Sequence, residues 1–97
     1  MKSQDISSLL SSVTEQLAAI EHERWSHWQR YVHNKAVRQS DGSLLLPPDL
    51  VARWEKQIET SYTDLSEAEK ESDREQVRKY LPLIVSVLTN RLDAEED

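Results

Sequence analysis

Apolar residues recur at helical steps along most of the chain. Ile6, Leu9, Leu10, Val13, Leu17 and Ile20 lie three or four residues apart, and Trp25, Trp28, Tyr31 and Val32 continue the series. In an α-helix that spacing lines one face. Neither Pro nor Gly interrupts residues 5–38, so the spacing predicts one long helix over about residues 5–36, capped at its start by Asp5 or Ser3. Ser40-Asp41-Gly42-Ser43 reads as a turn, and Gly42 is its natural positive-φ position. Leu44-Leu45-Leu46 before Pro47-Pro48 predicts an extended apolar strap lying over the helices, because residues before Pro avoid the helical region. Pro48 fits the first position of a second helix over about residues 48–59, with Leu50, Val51, Trp54 and Ile58 on one face.

Thr60 to Leu65 forms a connector, and Ser66-Glu67-Ala68-Glu69 fits a capping box that opens a third helix. That helix carries Val77, Tyr80, Leu81, Ile84, Val87 and Leu88 as its apolar face. Pro82 lies inside the pattern and predicts a kink or break near Leu81. No strand-like alternation extends beyond Ser43–Leu46. The expected fold class is all-α: three to four helices with a long N-terminal helix and an extended Leu/Pro-rich connector, in a single domain over residues 1–97.

Composition narrows the chemistry. A chain of 97 residues has material for one modest core. It has no Cys, which removes disulfides, thiolate nucleophiles and Cys-based zinc sites, and one Gly, which removes Gly-rich phosphate loops. Its N-terminus lacks the continuous apolar stretch of a signal peptide, and no apolar run has transmembrane length. A cytoplasmic protein without membrane partners is expected.

The formal charge of −6 is uneven: residues 1–48 hold five basic and five acidic side chains, residues 49–97 seven and thirteen. No basic stripe is present, so nucleic acid is not an expected partner. The tail Asp93-Ala94-Glu95-Glu96-Asp97 reads as a frayed, solvated end.

Several polar residues share helix faces with apolar ones. Glu21 is four residues from Leu17 and seven from Trp28, Arg24 is four from both Ile20 and Trp28, and His22 is three from Trp25. On the third helix, Asp73 is four residues before Val77, and Arg74 is seven before Leu81. A charge on the core side requires a partner or a ligand. Three readings follow. One is an ion-pair network of Glu21, His22, Arg24, Asp73 and Arg74 locking two helices. Another is a polar pocket walled by Trp25 or Trp28, where a flat ring stacks and an Arg holds an anion. The third is that these side chains simply reach solvent at the edge of the stripe.

Catalytic and metal chemistry are not indicated. His22 and His27 are five apart, which sets them about 140° around a helix and off the i, i+4 spacing of a zinc-protease helix. The acids at residues 64–75 fit helix capping and dipole complementation. No catalytic residue, metal or cofactor is expected.

Two blocks resemble a known family. Ile20-Glu21-His22-Glu23-Arg24-Trp25 is similar to the I-x-H-E-x-W signature of the ryanodine-receptor-type (RyR) domain. Tyr62-Thr63-Asp64-Leu65-Ser66-Glu67-Ala68-Glu69-Lys70-Glu71-Ser72-Asp73-Arg74-Glu75 resembles the family's Y-x-x-L-x-x-x-E-K-x-x-D-R-E run. Pro48-Asp49-Leu50 faintly resembles its His-Pro-x-Leu turn. The implied domain spans about residues 17–90. The chain departs from the pattern between the blocks: the family's Gly-Trp and Tyr-Gly are replaced by Tyr31-Val32-His33 and the Leu-rich segment, and a Trp54-bearing helix is inserted. The resemblance implies a small helical module, such as occurs in stand-alone bacterial or phage-like chains. In some members a purine nucleotide stacks on the Trp of the first motif. Trp25, His22 and the Asp73–Arg74 pair correspond by position.

Three functional readings remain at this level. The first is a non-enzymatic module binding a nucleotide-like anion against Trp25, with His22, Arg24, Asp73, Arg74, Glu21 and Trp28 around it. The second is an interaction protein that forms a homodimer through residues 6–20 of its long helix. The third is an acidic inhibitor mimicking nucleic acid.

Overall fold

A computed structural model describes residues 2–96, and the side chains of residues 2–95. The chain is all-α. Helix α1 spans Ser3–Ser11, α2 Thr14–Lys35, α3 Pro48–Glu59 and α4 Glu67–Glu96. Strands β1 (Val37–Arg38) and β2 (Leu44–Leu45) form a small antiparallel hairpin between α2 and α3, with Val37 opposite Leu45 and Arg38 opposite Leu44. A single 3-10 turn at Tyr62–Asp64 precedes α4.

Local chemistry explains most element ends. Pro48 opens α3, which ends at Glu59 as its spacing predicts. The capping box is present: the Ser66 N–H donates to Glu69 Oε1 at 3.1 Å, and the Glu69 N–H donates to Ser66 Oγ at 3.2 Å. These bonds, the Ser66 hydroxyl first and its backbone N–H second, hold the Glu69 carboxyl below the usual glutamate range. In the hairpin turn, Gly42 adopts φ +90°. Asp41 Oδ1 accepts the Ser43 hydroxyl at 2.6 Å and the Ser43 N–H at 2.9 Å. The hydroxyl bond first, then the N–H bond, lowers the Asp41 carboxyl below its usual range.

Five expectations are corrected. The predicted helix over residues 5–36 is two helices, separated at Ser12–Val13. There, hydroxyls share backbone acceptors: Ser12 Oγ donates to the Leu9 carbonyl at 2.5 Å, beside the Ser12 N–H at 3.2 Å, and Thr14 Oγ1 to the Ser11 carbonyl at 2.6 Å. Hydroxyls competing for helix carbonyls are the reason Ser and Thr weaken helix interiors. The helix start is also shifted: Lys2 precedes α1, and Asp5 reaches back to the Lys2 N–H at 3.3 Å.

Second, Val37 and Arg38 form a strand that residue pattern did not reveal, because two residues cannot display an alternation. Third, Leu45 and Leu46 are exposed, at 62% and 38%, so the Leu-rich segment is a hairpin edge and not a covering strap. Fourth, of the kink or break predicted near Leu81, the break is absent: α4 runs through Pro82. The proline is exposed, so the carbonyl that its ring leaves without an N–H partner sits on the side of the helix that meets water. Fifth, Asp93, Ala94 and Glu95 are helical, and Arg91 Nε lies 3.3 Å from Glu95 Oε1. Asp97 lies outside the described residues.

The chain divides into two compact units. Unit 1 comprises residues 1–23 and 73–97, and unit 2 residues 24–72. In unit 1, α1 and the first turns of α2 accompany most of α4. Val13 is the one buried apolar side chain among the described residues, at 6% exposure. In unit 2, the rest of α2 joins the hairpin, α3 and the start of α4. Its packing rests on three rings. Trp28 and Tyr31 stack with centroids 5.4 Å apart, and Trp54 of α3 meets Trp28 edge-on at 5.8 Å. Edge-on and offset arrangements satisfy the ring quadrupoles.

Candidate functional site

Most of the residues expected to carry function stand on the surface. Among the described residues no polar or charged side chain is buried. Glu21, His22, Arg24, Trp25, Trp28 and Asp73 are exposed, and Arg74 is half-buried. The core-side placement of Glu21, His22, Arg24 and Asp73 is therefore corrected, whereas Arg74 stays half-buried. The exposure of the first four fits the reading in which long polar side chains reach water at the edge of an apolar stripe.

Their individual positions differ. Glu21 belongs to unit 1 and accepts the Tyr80 hydroxyl of α4. Trp28 belongs to the ring group of unit 2, where it packs α2 against α3. Trp25 is 57% exposed. Neither of the two cavities described next is lined by His22, Arg24, Trp25, Trp28, Asp73 or Arg74.

Unit 2 holds a cavity of about 620 Å³ lined by Arg53, Lys56, Gln57 and Thr60 of the α3 end and by Asp64, Ser66 and Glu69. Both signs of charge face it, and Lys56 and Arg53 add a smaller lowering influence on Glu69. Close by, Lys70 sits 5.8 Å above the Tyr62 ring and 3.8 Å from Glu67. Cations and carboxylates here neutralise one another, an arrangement that steadies the entry into α4.

Unit 1 holds an open groove of about 490 Å³ between α2 and α4, lined by Thr14, Leu17, Ala18, Glu21, Tyr80 and Ile84. The expected dimer seam of residues 6–20 lies in this unit. Of that seam Val13 is buried, Leu9, Leu10, Leu17 and Ile20 are half-buried, with Leu17 in the groove, and Ile6 is exposed.

The uncovered apolar surface of unit 1 is on α4. Tyr80, Ile84, Val87 and Leu88 are half-buried, whereas Val77, Leu81, Val85 and Leu92 are 48–59% exposed. At about 100° per residue, Tyr80, Ile84 and Val87 share one arc of α4, and Val77, Leu81, Val85, Leu88 and Leu92 share the next. The single apolar face expected for this helix is thus two adjacent faces, one packed and one open. Steps of four, four, three and four residues from Val77 to Leu92 were the available sequence signal.

No family model, characterised protein or solved structure matches the chain. Among the described residues no cluster of His, Asp or Glu can hold a metal ion, and no helix is long and apolar enough to cross a membrane.

Proposed function

We propose that the chain is a non-enzymatic interaction protein that self-associates through a helical face. The observation that carries this reading is the open row of α4. Four large apolar side chains are about half exposed along one arc of one helix. Scattered exposed apolar residues are ordinary, but a contiguous row on a helix is the form an association surface takes. Sedimentation equilibrium of the full chain over a concentration series tests it. A monomer–dimer equilibrium is expected. A monomer throughout, up to high micromolar concentration, overturns the proposal.

A second reading keeps the resemblance to the RyR domain: a nucleotide-like anion stacks on Trp25. Its support is the motif around Trp25 and the indole's 57% exposure. Tryptophan fluorescence and thermal shift against a panel of purine nucleotides test it. Binding to the folded state must raise stability, so an unchanged spectrum and unchanged melting across the panel count against it.

A further inference from the structure

We draw no further inference here: the strongest candidate, the open apolar row of Val77, Leu81, Val85 and Leu92 on α4, belongs to the association surface already described, and with Glu95 at its end held by Arg91 of the same chain at 3.3 Å, nothing in the structure shows what covers it or in which orientation.

Discussion

The two units differ in how they close. In unit 2 three aromatic rings tie α2 to α3, and its turns are finished by side-chain hydrogen bonds at Asp41–Ser43 and Ser66–Glu69. Its exposed apolar residues, among them Val37, Leu45, Ile58 and Tyr62, fall on different elements. Unit 1 has one buried apolar side chain, Val13, and its exposed apolar residues fall mainly on one helix in one row. The lesson is that exposure alone says little. Its arrangement separates a small unit with ordinary apolar residues on its surface from a unit with an unpaired face.

Four measurements break or sharpen this comparison. The largest effect is expected for Trp54→Ala, which removes the ring joining α3 to Trp28 and Tyr31. It should cost about 3 kcal/mol by chemical denaturation and erase much of the near-ultraviolet circular dichroism. Val13→Ala should follow at about 2 kcal/mol, the worth of two buried methyl groups and the space they leave. A larger loss from Val13 than from Trp54 would reverse the ranking of the units.

Ser66→Ala removes one half of the α4 cap and should cost about 1 kcal/mol. The smallest effect is that of pH. The Glu69 and Asp41 carboxyls titrate below their usual ranges in the folded chain because hydroxyl and N–H donors favour the charged form. A depressed carboxyl contributes stability above its unfolded value, and the contribution is lost as pH falls through its folded value. Melting temperature should therefore decline on acidification from about pH 4 downward. Ser66→Ala should blunt that decline; an identical acid profile in the variant would remove Glu69 from the account.

Much of the fold was legible in the residues. The second helix, the Gly42 turn and the Ser66 capping box depend on interactions within four residues, and each appears where its pattern puts it. The break at Ser12–Val13 depends on local chemistry too, but hydroxyl competition at Ser12 and Thr14 is weak enough that the apolar periodicity running through it hides it. The candidate site was much less legible. Glu21, His22, Arg24, Asp73 and Arg74 have the spacing of a core-side set, and spacing locates a residue on a helix without saying how wide the packed face is.

The sequence by itself determined the helical class, the places where three of the elements begin, and the absence of Cys and scarcity of Gly that remove whole families of chemistry. These follow from local propensity, capping and composition, which need no knowledge of distant residues. Only the tertiary structure decided which face of each helix is packed. Tyr80, Ile84 and Val87 turn inward while Val77, Leu81, Val85 and Leu92, equally apolar and equally helical in spacing, remain open. A helix with a wide apolar arc has more surface than one neighbour can cover, and the division between covered and uncovered is set by that neighbour.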